Sequence, residues 1–210
     1  MDGKIHPILL SLFFFTFPAT IHSKDSCPTS NCGKYLVSIT YPFKLESDQP
    51  PKNCPNFINL KCTDDGRTMI NLPASGDFYV SYISYYARKI SLTDPQNCLA
   101  RRLMTNFSYY PLEAINYVNY TFYTCPGESA YRDLSHDVIR CLSNSTNATI
   151  ATDKNSAEYF EERYGCKPIV SSSIPVDYDY YELFDEIQLT WNVPLCKSCK
   201  QYGIPASGEI

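Results

Sequence analysis

This sequence predicts a mainly β, disulfide-rich fold: two small packed modules, sandwich- or open-barrel-like, with one or two short helices in the second. Three observations carry the expectation. Ten cysteines, an even set, follow an apolar leader in a chain of 210 residues. Short segments rich in β-branched and aromatic side chains recur along the chain. Turn signals such as Asp64-Asp65-Gly66 punctuate them, and only one stretch has clear helical spacing.

In chain order, residues 1–23 read as a secretory signal peptide. Lys4 supplies a basic flank, and Pro7 to Ala19 is an apolar run short of the ~20 residues a bilayer span needs. No second apolar stretch of that kind follows, so the mature chain is expected to be secreted to the extracellular space or cell wall. In that oxidising compartment Cys27, Cys32, Cys54, Cys62, Cys98, Cys125, Cys141, Cys166, Cys196 and Cys199 supply up to five disulfides. Spacing suggests one local loop, Cys54 to Cys62, and leaves the remaining connectivity open.

The first module is expected over 24–98. Tyr35 to Tyr41 is β-branched and aromatic and stops at Pro42. Phe57 to Cys62 alternates apolar and polar, the Asp64–Gly66 turn follows, and Met69 to Leu72 returns as the second arm of a hairpin. Phe78 to Ser84 and Lys89 to Thr93 make another pair. The second module is expected over 99–199, with strands at Tyr117–Cys125, Val138–Leu142 and Ile187–Trp191. Between them Ser156 to Tyr164 has helical spacing, with Ser156 as the expected N-cap and Gly165 as the stop. Residues 200–210 read as an unstructured tail.

Composition narrows the function classes. Residues 24–103 hold ten basic and seven acidic side chains, whereas 104–210 hold seven and fourteen. A net charge of −4 argues against a nucleic-acid partner, while the mildly basic first half suits local attraction of a polyanion. Asn106, Asn119, Asn144 and Asn147 each open an N-x-[ST] sequon, so glycans are expected on the second half.

One ordered series of residues is specific: Cys27, Cys32-Gly33, Ile39-Thr-Tyr41-Pro42-Phe43, Cys54-Pro-Asn-Phe57, Leu60, Cys62, then Asp94-Pro95 and Cys98. It resembles the galacturonan-binding domain of plant wall-associated receptor kinases, and more closely the ectodomains of leaf-rust-resistance-type receptor kinases and membrane-anchored RING-H2 finger proteins. Asn119 to Cys125, Ile174-Pro-Val176, Leu189-Thr-Trp191 and Cys196-Lys-Ser-Cys199 extend the resemblance. It implies binding of pectin-like polysaccharide, with Tyr41, Pro42 and Phe43 serving the fold rather than the ligand. Ectodomains of this type continue past the C-x-x-C with a glycine-rich stretch, a further cysteine and a membrane span. Two readings stand: a secreted paralogue, or the truncated sensing ectodomain of a RING-H2 ubiquitin ligase or receptor-like kinase, with a protein or peptide ligand as the alternative partner.

A galacturonate unit offers a carboxylate and an apolar sugar face, so a site needs cations and aromatic rings together. Lys44, Lys52, Lys61, Arg67, Arg88, Lys89, Arg101 and Arg102 supply the first, and Tyr85 and Tyr86 the second. Cys196-x-x-Cys199 has no second ligand pair for a zinc site and reads as disulfide framework. The acidic run Asp177 to Glu186 lacks EF-hand spacing and reads as a solvated surface, with Ca²⁺ entering only as a bridge to pectin carboxylates and no cofactor expected. Beyond the leader His136 is the only histidine, so nucleophile–base catalysis is not expected and the chain reads as a binding protein rather than an enzyme.

Overall fold

A computed structural model describes residues 29–33, 37–49, 56–105, 107–127, 132–134, 138–153, 155–176, 185–194 and 196. The expected leader, the tail, Cys27, Lys52, Cys54, Asn106, His136, residues 177–184 and Cys199 lie outside them. The fold is mainly β. Its strands are β1 (Phe43–Leu45), β2 (Ile58–Cys62), β3 (Thr68–Leu72), β4 (Gly76–Ser84), β5 (Lys89–Thr93), β6 (Glu113–Ala114), β7 (Asn116–Pro126), β8 (Asn147–Thr152), β9 (Lys167–Val176) and β10 (Ile187–Thr190). Helices form at α1 (Leu99–Leu103) and α2 (Ala157–Tyr164).

A seven-stranded sheet runs β1-β2-β3-β4-β5-β10-β6 and a three-stranded sheet runs β8-β7-β9. Two-residue alternation aims one side of the larger sheet inward: Phe43, Leu45, Ile58, Leu60, Ile70, Leu72, Phe78, Ile90, Leu92 and Leu189 are all buried. Phe122, Ile174 and Val176 of the smaller sheet pack into the same cluster, which makes a two-layer core. Each such side chain removed from water contributes about 1.5–3 kcal/mol. Strands from both sides of Cys98 thus share one core, because β6 and β10 complete the sheet begun by β1–β5.

Trp191 fastens the first-half motif. Its ring meets Phe43 edge-on at 4.9 Å and Tyr85 at 6.0 Å. Tyr41, buried at 3 % exposure, packs against Phe57 and donates its hydroxyl to the Pro194 carbonyl at 2.5 Å. The Tyr41–Pro42 peptide is cis. Cys32 pairs with Cys62, Cys98 with Cys141 and Cys125 with Cys166, and Cys196 is also disulfide-bonded.

Four local expectations are corrected. Cys62 bridges to Cys32 rather than across a short loop to Cys54, which ties β2 to the start of the motif. Pro42 opens a strand instead of closing one: the 37–41 segment makes only an isolated bridge, Ile39 to Ser30, and the pairing run is β1, parallel to β2. Val138–Leu142 is not a strand. Ile139 makes one bond to Thr149, and the chain then tightens into a 3-10 turn at Arg140–Leu142. Ser156 precedes α2 without a capping side-chain bond; the Asp153 carboxylate accepts from the Asn155 and Ser156 amides instead. Gly165 ends α2 in the left-handed conformation at φ 64°, as expected.

Candidate functional site

The side of the larger sheet opposite its core carries polar and aromatic side chains. Lys44 lies between buried Phe43 and Leu45, Asn59 and Lys61 flank buried Leu60, and Met69 and Asn71 flank buried Ile70, so all five take the outward positions of β1–β3. Glu46, Asn59, Lys61, Met69, Asn71 and Pro111 line a groove of about 250 Å³ there. The Lys61 ammonium reaches both Asp77 carboxylate oxygens at 3.2 Å, and Asn71 donates to the same carboxylate at 2.8 Å. The Asn71 amide first, then Lys61 and the charge of Arg102, hold Asp77 below the usual carboxylate range against its desolvation.

Arg67 closes the β2–β3 turn, with its guanidinium 4.7 Å from the centre of the Tyr79 ring and 3.0 Å from Asp65. A hydrogen bond from the Thr63 hydroxyl, then the Arg67 charge, pull Asp65 below its ordinary value. Antiparallel pairing of β3 with β4 and of β4 with β5 brings this turn to the same end of the sheet as the β4–β5 turn. That second turn presents Tyr86, 79 % exposed, and Arg88, held at φ 52°. Lys89 opens β5 opposite Ser84. A register shift between Val80 and Tyr82 re-aims the strand, leaving Tyr82 60 % exposed while Ile83 stays in the core.

The other expected site residues are placed elsewhere. Tyr85 turns inward: its hydroxyl accepts from the Thr40 amide at 2.8 Å and donates to the Ser38 carbonyl at 2.9 Å, and burial pushes its pKa up to about 12. Arg101 and Arg102 lie on α1, beside the opposite end of the sheet. Arg101 is exposed and reaches the Cys141 carbonyl at 3.3 Å. Arg102 is engaged from three sides, by Asp94 at 2.8 Å, the Ser75 carbonyl at 2.7 Å and the Phe78 ring at 4.5 Å. Lys44, Arg67, Tyr86, Arg88 and Lys89 are therefore the candidates gathered on the outward face and its upper end.

Sequence reasoning passed over Asn59, Asn71, Asp77, Tyr79 and Tyr82. The first four were available from strand parity, since each sits one place from a core residue; Tyr82 was not, because parity fails across the bulge. Among the described residues no group of three or more His, Cys, Asp or Glu is placed to hold a metal ion. Among them, too, no helix is long and apolar enough to cross a membrane.

Residues 27–94 match the wall-associated receptor kinase galacturonan-binding family. Among curated proteins of Arabidopsis thaliana, the putative RING-H2 finger protein ATL21A is 34% identical over 206 residues, covering 92% of this chain and 54% of its own. The putative RING-H2 finger protein ATL21B is 36% identical over 206 residues, with the same 92% and 54% coverage. The RING-H2 finger protein ATL22 is 33% identical over 217 residues, covering 96% of this chain and 55% of its own. The chain thus spans about half the length of these relatives. No solved structure matches it.

Proposed function

We propose, from the premise that residues 27–94 match the wall-associated receptor kinase galacturonan-binding family, that this chain is an extracellular module that binds pectic galacturonan non-covalently. The family match is the observation that carries the reading. The geometry supports it at the upper end of the larger sheet, where Tyr82 and Tyr86 expose rings for a sugar face and Arg88 and Lys89 bring cations for its carboxylates. Lys61 and Arg67 face nearby carboxylates of the chain itself and Lys89 is engaged as well, so a uronate at any of the three has to compete with a partner within the chain. Several weak contacts along a repeating polymer add through multivalency.

The test is binding of the secreted, oxidised chain to de-esterified oligogalacturonides at low and high salt, with and without Ca²⁺. Methyl-esterified pectin and a neutral glucan serve as controls. Saturable binding that prefers the de-esterified polymer and weakens with salt is expected. Arg88→Ala with Lys89→Ala should weaken it about tenfold or more, from lost charge-assisted hydrogen bonds. Absence of binding by a correctly disulfide-bonded sample would sink the proposal.

The relatives favour a second reading, in which the same module is the ligand-sensing ectodomain of a membrane-anchored RING-H2 finger protein. In that setting the module senses a ligand, polysaccharide or peptide, and ubiquitin-ligase chemistry belongs to a separate RING segment. Reading the gene's transcript downstream of Ile210 distinguishes the two: an encoded span and RING segment supports the second, and an in-frame stop supports the secreted form.

A further inference from the structure

The smaller sheet has one face half covered. Its inward residues, Val118, Tyr120 and Phe122 on β7, pack toward the main core. On the outward face, α2 covers the far end of the strand, where Tyr123 and Cys125 meet Phe160 and Tyr164. Tyr117, Asn119 and Thr121 alternate along the near end of β7, with Tyr117 and Asn119 exposed. They stand opposite Pro175, Ser173 and Ser171 of β9, and the Thr121 and Ser171 hydroxyls are 2.8 Å apart. β8 pairs with β7 only from Thr121 onward, so among the described residues the strip is open on that side too.

Asn119-Tyr-Thr121 is a sequon, so this strip carries its own attachment point for a bulky polar group. Beside it stands a braced aromatic ring. Tyr117 is 48 % exposed, its hydroxyl hydrogen-bonds that of Tyr109, and the two ring centroids are 6.0 Å apart. From Tyr109 the contact continues through Phe107 to core Phe78, with centroids 6.3 and 5.7 Å apart. Residues two apart on a strand lie about 6.6 Å apart, within reach of the first sugar on the asparagine. An aromatic face already held by packing loses little entropy when a pyranose ring settles on it.

We propose that Asn119 carries an N-linked glycan whose first N-acetylglucosamine stacks on Tyr117, covering the end of the sheet that α2 leaves bare. In the attachment step the Asn119 Nδ2 attacks C1 of a lipid-linked oligosaccharide donor. The new bond is the N-glycosidic C–N bond, the C1–O bond to the lipid pyrophosphate breaks, and Nδ2 gives up a proton. The proposal requires passage through a secretory pathway and is independent of any polysaccharide ligand.

The test expresses the chain in a secretory eukaryotic host and first maps Asn119 occupancy by glycopeptide mass spectrometry. Thermal unfolding is then compared for the parent, Asn119→Gln, Tyr117→Ala and the double variant. The expected result is an occupied Asn119 and a loss of about 2–4 °C on Asn119→Gln, the shift that ~1 kcal/mol gives a chain of this size. That loss should vanish in the Tyr117→Ala background. NOEs between the Tyr117 ring and the first sugar's protons supply a readout that does not depend on the variants folding. An unoccupied Asn119 overturns the proposal, and so does an occupied one without NOEs whose loss is the same in both backgrounds.

Discussion

Asp94→Asn is the sharpest probe of what holds α1 to the larger sheet. Asp94 is 3 % exposed; one carboxylate oxygen accepts from the Cys98 amide at 3.0 Å and the other faces Arg102 Nε at 2.8 Å. An asparagine keeps one acceptor but turns an N–H₂ toward either a guanidinium or an amide, both donors. Breaking a buried pair from one side costs ~3–5 kcal/mol. The Arg102 side chain keeps 22 % exposure and rehydrates in part, so about 2–4 kcal/mol is expected here. Urea unfolding with the disulfides intact measures it, read by the fluorescence of Trp191, the chain's only tryptophan, buried against Phe43 and Tyr85. The midpoint temperature should fall by roughly 5–15 °C in parallel. Arg102→Met keeps the stem over Phe78 and removes the charge, and the double-mutant cycle should return a coupling of about 1–3 kcal/mol. A loss under ~0.5 kcal/mol for Asp94→Asn, or additive single effects, would refute the assignment of the pair as the anchor of α1.

Two further outcomes concern Tyr85 and Gly76. Tyr85 titrates near 12, above the ordinary 10, so its contribution to stability is complete below pH 10 and is lost as pH rises through about 12; in tyrosinate absorbance, Tyr85→Phe should remove one late-ionising tyrosine and flatten the stability loss over that window. Gly76→Ala should cost more than Gly33→Ala by denaturant midpoint: both glycines have positive φ, 83° and 87°, but only at Gly76 does a new Cβ come within 3.2 Å of Arg102 Nη1. Equal losses would mean that Arg102 yields freely.

Strands β2 to β5 and β7 were legible because their side chains alternate and turn signals bracket them. Gly66 at φ 81° supplies the positive angle that the Asp64-Asp65-Gly66 turn requires. β9 was not legible: Ser171-Ser-Ser173 between Pro168 and Pro175 carries little β signal, and the strand forms because β7 pairs along nearly all of it. The place of β10 was equally hidden, since strand order depends on distant partners that periodicity does not encode. At the candidate site, Tyr85 and Tyr86 are adjacent tyrosines with opposite fates. One is bonded to Thr40 and Ser38 and the other is exposed to solvent, and only the turn geometry between β4 and β5 separates them.

The position of β10 has a consequence in time. Protein synthesis is vectorial, and the strand that lies beside β5 in the finished sheet is made long after β5 itself. At ~5–20 residues per second, β5 spends on the order of ten seconds with its hydrogen-bonding edge bare. A bare edge of alternating apolar residues such as Ile90 and Leu92 is a template for pairing with other chains. Substitutions that weaken β10 should therefore appear first as aggregation of the newly made chain, before the midpoint of unfolding of the surviving folded fraction changes.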